Sequence, residues 1–223
     1  MPVCSEYPAR AREPTTRRGK DTKRRIVAAA AELMYDRGVD TTSLDDILAA
    51  SGAGKSQLYH YFAGKDELVA EVLRHQLDQV LQEQNLFQLD TWDGIRAWFE
   101  ALVTMQQTQR GFRGCPLGSI AGDVLDQDER LRRRAADAFA RWETSLAAAL
   151  QAMRDRGLLA QNADPPILAE TTIAIMQGGY LLASTKRDVR PMRLALSAAL
   201  AHLKSFASPP AGEGHSGNSR AAT

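Results

Sequence analysis

Lys55, Ser56, Gln57, Tyr59 and His60 stand within six consecutive residues and carry much of the chemistry that a nucleic-acid surface requires. A glutamine side chain can bond adenine through its carbonyl and its amide together, and a lysine ammonium can reach guanine O6 and N7 or a phosphate. Tyrosine and histidine donors suit phosphate oxygens. Leu58 and Tyr61 or Phe62 interrupt this polar series at helical spacing, so the polar residues share the outer side of one short helix. Thr42 and Ser43 stand at the start of one neighbouring helix and Lys65 at the start of another, where unpaired backbone N–H groups can receive an anion. The same residues also fit the solvated side of an ordinary helical hairpin.

The elements that must hold these residues follow from the flanking pattern. Ile26, Ala29, Ala30, Leu33 and Met34 recur at helical spacing and predict a helix from about Thr22 to Arg37, ended by Gly38. The hydroxyls of Thr42-Ser43 can cap a second helix, with Asp45 and Asp46 in a capping-box-like spacing, and Gly52 stops it. A third helix covers about Lys55–Tyr61, and a long one runs from Lys65 to about Gln84 on Leu68, Val72, Leu77 and Leu81. Two short helices around a glycine turn, packed on a preceding helix, make a helix-turn-helix, which presents the start of its second helix to a major groove.

Ala49–Ser56, AASGAGKS, also fits a relaxed phosphate-loop pattern. Such a loop needs an apolar strand before it and a metal-binding aspartate on a later strand. The preceding SLDDILAA is capped and amphipathic, and no parallel-sheet pattern follows. Other catalytic chemistry is thin. His60, His75, His202 and His215 have no metal spacing, Ser119 lacks a histidine partner, and there is no nucleophile elbow or carboxylate pair. The expectation is a protein that is not an enzyme and carries no cofactor or metal.

Asp21–Leu68 resembles the DNA-binding domain of the TetR family of transcriptional repressors. The matching pieces are the first-helix core with Gly38, then TTSLDDILAASG, GKSQLYHYF, and the Phe62-x-x-Lys65-x-x-Leu68 junction. The resemblance implies that Tyr59 contacts phosphate and that Lys55, Ser56, Gln57 and His60 face the groove, with Thr42, Ser43 and Lys65 completing the DNA-binding set. Gly54 and Gly64 depart from the family pattern, since both stand where a side chain commonly caps the following helix. Gly54 is assigned no DNA role.

The second half reads as further helices: about Asp90–Gln109, a short one after the glycine-rich stretch 111–122, Asp128–Arg156, 167–185 and 191–206. The fold class expected is all-α, a three-helix DNA-binding domain followed by a helical ligand-binding and dimerisation domain. The resemblance implies a small-molecule cavity and a homodimer built on the last two helices. The 167–185 segment, apolar on nearly all sides with a Gly178-Gly179 pair, needs cover on every side. Intramolecular packing is the alternative cover. Candidate cavity residues are Phe87, Trp98, Met105, Phe112, Trp142, Met176, Gln177 and Tyr180, each of which also fits an ordinary core, with Cys115 placed among them. Cys115 reads either as a small packed thiol or as a reactive sensor, the latter if Arg113 and a helix N-terminus lower its pKa. The stretch GCPLGSIAGDV with FARW, GLLAQNADPPILAE and QGGY resembles a C-terminal subgroup that includes regulators of drug-efflux and oxidoreductase genes.

Charge and composition agree with this division. Of 223 residues, 44% are apolar and 25% charged, values of a folded globular chain. Residues 1–25 carry eight Arg/Lys against Glu6, Glu13 and Asp21, a net of +5, so the remainder sums to −4. The expected layout is a flexible basic arm (1–20), a helix-turn-helix domain (21–66), a ligand and dimer domain (67–207) and a disordered tail (208–223). The arm is either a solvated tail or electrostatic help for DNA binding. No apolar run reaches the ~18 residues of a membrane helix, and Cys4 and Cys115 form no disulfide framework, so a cytoplasmic setting is expected. Partners expected are a double-stranded DNA operator, a small hydrophobic or aromatic effector, and a second copy of the chain, with no membrane.

Overall fold

The computed structural model describes residues 14–108, 112–126 and 128–209. Nine helices account for the regular structure among the described residues: α1 Arg17–Arg37, α2 Leu44–Ser51, α3 Lys55–Tyr61, α4 Lys65–Gln84, α5 Trp92–Thr108, α6 Pro116–Val124, α7 Glu129–Asp155, α8 Pro165–Lys186 and α9 Arg190–Lys204. The only bridge pairing among them is Leu159 with Ala207, which ties the turn after α7 to the segment after α9. The all-α expectation holds.

The boundaries have local causes. Helix α1 starts at Arg17, earlier than Thr22, because the Thr16 hydroxyl accepts the Gly19 N–H at 3.1 Å. Residues 17–20, assigned from sequence to a flexible arm, are therefore helical, and residues 1–13 of that arm lie outside the described residues. So does the tail from 210 onward. Ser43 caps α2: its Oγ accepts the Asp46 N–H at 3.1 Å, while the Asp46 carboxylate accepts the Ser43 N–H at 3.1 Å. Gly52 closes α2 in the left-handed region at φ 64°, where a side chain would be strained, and its N–H returns to Leu48 O. Prolines at the first turns of α6, α8 and α9 suit positions that have no intrahelical N–H partner.

Ile26, Ala30 and Met34 of α1 meet Ile47 of α2, Leu58 and Phe62 of the α3 region and Leu68 of α4 in the small N-terminal core. Each large side chain buried this way contributes about 2 kcal/mol. Lys23 is buried in this region too, 3.7 Å from the Glu71 carboxylate and near the Phe62 ring, joining α1 to α4.

Behind it, α4 packs on α7, α7 on α8 and α8 on α9, with α5 against α9 and α6 wedged among α1, α4 and α7. The adjacent glycines of α8 do different work. A Cβ at Gly179 would lie 2.8 Å from the Ala195 Cβ, so its absence lets α8 approach α9 inside one chain. Gly178 is exposed and has nothing within 4 Å of its Cβ position.

Candidate functional site

Helix α3 turns its sequence-predicted residues outward as a group. Lys55, Ser56, Gln57, Tyr59 and His60 are exposed, with Tyr59 at 50%, while Leu58 and Tyr61 are buried beneath them. An aromatic ring half in solvent is the telling observation, because nothing among the described residues covers Tyr59. Exposed Arg17, Arg18, Lys20 and Arg24 on the first turns of α1 add positive charge to the same domain. Arg25 instead donates to Ser51 O at 3.1 Å and steadies the end of α2.

Three residues behave differently from their sequence reading. Thr42 is 1% exposed, and its hydroxyl donates to Gly38 O at 2.8 Å, so it braces the α1–α2 turn instead of meeting an anion. The capping role belongs to Ser43 alone, and Asp45 and Asp46 place negative charge in the same first turn. The hydrogen bonds from Ser43 hold the Asp46 carboxyl below the ordinary aspartate range, so it is ionised where a phosphate would come. Gln57 is committed as well: its Oε1 accepts the Gly54 N–H at 2.9 Å, doing the work of the cap that Gly54 lacks. Lys65 is half-buried and donates to Asp40 O at 3.3 Å, pinning the start of α4 to the turn before α2. Glu67 reaches back to the Ala63 N–H at 2.6 Å in place of a cap at Gly64. The phosphate-loop reading of 49–56 falls, because that segment is the end of α2, the Gly52 turn and the start of α3, with a helix where a strand is required.

A cavity of about 410 Å³ lies where α1, α4, α5, the 113–116 segment, α7 and α8 converge. Five of the proposed cavity residues line it: Trp98, Met105, Cys115, Trp142 and Tyr180. Met176 is fully buried in the α8 core and is not part of the wall. Phe112 and Phe87 are half-buried outside it, Phe112 in a left-handed backbone conformation at φ 51°. Gln177 packs instead over Gly118, where a Cβ would come within 2.5 Å of its Oε1. Sequence reasoning missed Glu32 and Tyr35 from α1, Gln76, Gln79 and Glu83 from α4, and Arg113. The first five are polar or tyrosyl positions on helices read only for their apolar faces, and Arg113, read only as a neighbour of Cys115, lies in the segment before α6. Trp142 is held by Gln84, whose Oε1 accepts the indole N–H at 2.7 Å while its Nε2 donates to Ser145 Oγ at 3.1 Å.

Cys115 does not meet the condition set for a reactive thiol. It is 3% exposed, and burial raises its pKa, an effect that nearby backbone N–H groups of Gly118 and Leu117 only partly oppose. A protonated, enclosed thiol is a poor nucleophile.

The cavity and the DNA-binding domain share a wall. The Tyr35 hydroxyl donates to Gly114 O at 2.5 Å, and the Arg113 guanidinium lies 3.5 Å from the centre of the Tyr35 ring while pairing with Asp36. One step further along, the Asp123 carboxylate of α6 accepts the Val39 N–H at 2.8 Å. The end of α1 and the turn into α2 are thus attached to the segment that forms one side of the cavity.

A helix-turn-helix with an exposed polar second helix, joined to a larger helical domain that encloses a cavity, defines a DNA-binding regulator. Residues 26–72 match the bacterial regulatory proteins of the tetR family, and residues 92–199 match the tetracyclin repressor-like C-terminal domain. The chain belongs to the TetR family of transcriptional regulators; proteins of this family are regulators of transcription and not enzymes. It is 28% identical over 199 residues to the transcriptional repressor NemR of Escherichia coli K12, covering 86% of this chain and 96% of NemR. It is 27% identical over 187 residues to the transcriptional regulator YxaF of Bacillus subtilis, covering 80% and 93%. The crystal structure of reduced E. coli NemR superposes with a TM-score of 0.71 at 26% identity, covering 85% of this chain and all of that one. A regulator from Cytophaga hutchinsonii reaches 0.75 at 17% identity, covering 88% and 100%, a likeness of fold.

Proposed function

We propose that the chain is a repressor that binds a palindromic operator as a homodimer and releases it when a small hydrophobic or aromatic effector occupies the cavity. In this reading Lys55, Ser56, Gln57, Tyr59 and His60 meet the major groove and its phosphates, with Ser43 and Lys65 at the flanks. Thr42 shapes the turn from within. In this reading the protein works in the bacterial cytoplasm, where its operator DNA is. No helix among the described residues is long and apolar enough to cross a membrane.

The observation that carries the effector reading is the shared wall. Tyr35 and Glu32 line the cavity from α1, a helix of the DNA-binding core. A ligand in contact with Tyr35 or Arg113 acts on α1 through the Gly114 and Asp36 bonds, so α1 is a lever, and α4, which starts in the DNA-binding core and lines the cavity at Gln76 and Glu83, is a second. Only a ligand with different affinity for the operator-competent and released geometries shifts that balance, and a coupling of about 1–3 kcal/mol is typical.

Dimerisation is supported by what α8 and α9 leave uncovered. Ile167, Ala174, Gly178, Leu181 and Leu182 form an exposed stripe on α8, and Leu194, Ala198 and Ala201 form one on α9. Large exposed side chains flanking small ones suit close helix-to-helix contact with a second copy. A two-fold axis there would carry two α3 helices and require an inverted repeat in the DNA.

Selection of binding sites from random duplexes with the purified full chain tests this reading. Enrichment of an inverted repeat, bound two chains per duplex, is the expected result. Enrichment of single half-sites, or of nothing, overturns it.

A further inference from the structure

The turn between α8 and α9 is strongly basic. Lys186, Arg187, Arg190 and Arg193 stand there against Asp188, a net of +3 in a chain whose residues 26–223 sum to −4. All four are exposed. The one acid is committed to the backbone, where its carboxylate accepts the Arg190 N–H at 2.9 Å at the start of α9. Lys186, Arg190 and Arg193 make no side-chain ion pair with a described residue. Folding gives no reason for most of this charge. Lys186 suits the negative end of α8. Arg190 and Arg193, however, are the first and fourth residues of α9, at the positive end of a helix dipole with no acidic residue in its first turn. Arg187 holds a left-handed conformation, φ 51°, at a helix end where glycine is the usual residue.

The fold sets this turn at the end of the helical domain nearer the DNA-binding domain. Ser184 Oγ lies 3.9 Å from the Cβ position of Gly114, and Gly114 O accepts the Tyr35 hydroxyl of α1. The opposite end of the helical domain is marked by Arg154, which donates to Ala163 O shortly before α8, and by the Leu159–Ala207 bridge after α9. The turn also adjoins the surface offered to a second copy, since exposed Leu181 and Leu182 precede it and exposed Leu194 follows it.

Resting on the homodimer reading, we infer that the paired α8–α9 turns form a positive surface over the middle of the operator, which attracts the phosphates between its half-sites. The two-fold axis that joins the α8 stripes doubles the +3 of each turn and sets it between the two α3 helices, on the side that faces DNA. Helix α3 reads base edges, and the turns add attraction that is blind to sequence and screened by salt. Like charge in the two turns opposes assembly of the free protein. Phosphates between them relieve that repulsion, so DNA and dimer strengthen each other.

The test compares the full chain with a variant combining Lys186→Gln, Arg190→Gln and Arg193→Gln. The probes are a duplex bearing the inverted repeat recovered by selection, a scrambled duplex of equal length, and the first duplex with neutral methylphosphonates at its centre. For the parent chain, central neutralisation is expected to weaken binding about tenfold at low salt. The variant is expected to lose about as much on unmodified DNA of either sequence, with a flatter salt dependence, and to ignore the methylphosphonates. Arg190→Lys with Arg193→Lys should bind as the parent does. Thermal unfolding should hold or rise, because two arginines opposed to the α9 dipole are gone, and sedimentation at low salt should show a variant dimer at least as tight. Parent-like DNA affinity in the variant overturns the inference and leaves the homodimer standing. Equal losses by parent and variant on the neutralised duplex also overturn it and assign the central phosphates to other groups. A parent chain that selects no inverted repeat, or binds one chain per duplex, overturns the homodimer reading and the inference together.

Discussion

Arg113 sits over the ring of Tyr35 at 3.5 Å from its centre, across the junction between the cavity wall and the first helix of the DNA-binding domain. The same tyrosine donates to Gly114 O, so one side chain receives a stack from one residue and gives a bond to its neighbour. Tyr35→Phe keeps the stack and loses the bond. It is expected to lower stability by about 1 kcal/mol in urea unfolding. Asp123→Ala strands the Val39 N–H and is expected to cost about 1–3 kcal/mol.

Helix α3 offers a cleaner separation of binding from folding. Lys55 and Tyr59 are exposed, so neither supports the core. Lys55→Ala and Tyr59→Ala are each expected to weaken operator binding by about 1–3 kcal/mol with unchanged thermal unfolding. Fluorescence anisotropy across a salt series would check this, and Lys55→Ala should also flatten the salt dependence if the lysine meets a phosphate.

The exposed stripe on α8 predicts the assembly. Leu181→Glu with Leu182→Glu places charge on a surface that the fold itself does not use. Sedimentation is expected to show a dimer for the parent chain and a monomer for the variant, with helical content retained by circular dichroism. Operator affinity should fall by at least about tenfold, since a lone helix-turn-helix reads only half of a palindrome.

Burial of Cys115 predicts slow chemistry. At pH 8, iodoacetamide is expected to modify it far more slowly in the folded chain than in urea, followed by mass mapping of the Cys115 peptide. Labelling at the unfolded rate would restore the sensor reading.

Stability should also fall in alkali. Burial raises the pKa of Cys115, of Tyr180, and of Tyr35, the last to about 12 from 10.0. The unfolded chain therefore releases these protons first, and above about pH 9 the native state binds more protons than the unfolded one. The contribution of these neutral groups is whole below the unfolded pKa values and is lost as pH rises towards the folded ones. Urea midpoints from pH 7 to 11 are expected to decline, and Tyr35→Phe should make the decline shallower.

The helices were legible because their apolar spacing and stop signals are local. The α3 and α4 limits, the Ser43–Asp46 capping box and the buried faces of α4 and α7 follow from neighbours in the chain. Phe139 of α7 falls on the apolar spacing set by Leu131, Ala135, Trp142 and Leu146, yet it is only half-buried while Ala138 is buried, a small rotation that spacing alone does not fix. The cavity was half legible. Trp98, Trp142 and Tyr180 announce themselves by size, whereas Tyr35, Gln76 and Glu83 acquire their place only when α1, α4 and the 113–116 segment meet. Arg113 stands 77 positions after Asp36, and no local pattern pairs them. Gln57 was misjudged for the opposite reason: its role is local, decided by the absence of a side chain at Gly54.

That last arrangement has a consequence for how new operators are acquired. In the free protein the Gln57 carbonyl oxygen is occupied by its own helix, so two-point contact with an adenine requires the start of α3 to give up its tether. Base preference opposite Gln57 should therefore be shallow, tolerant of several nucleotides. Residue 54 has an ordinary backbone conformation, φ −79°, with room for a side chain. A serine there would take over the tether and free the amide, so a change at a position that never touches a base would sharpen the reading of one.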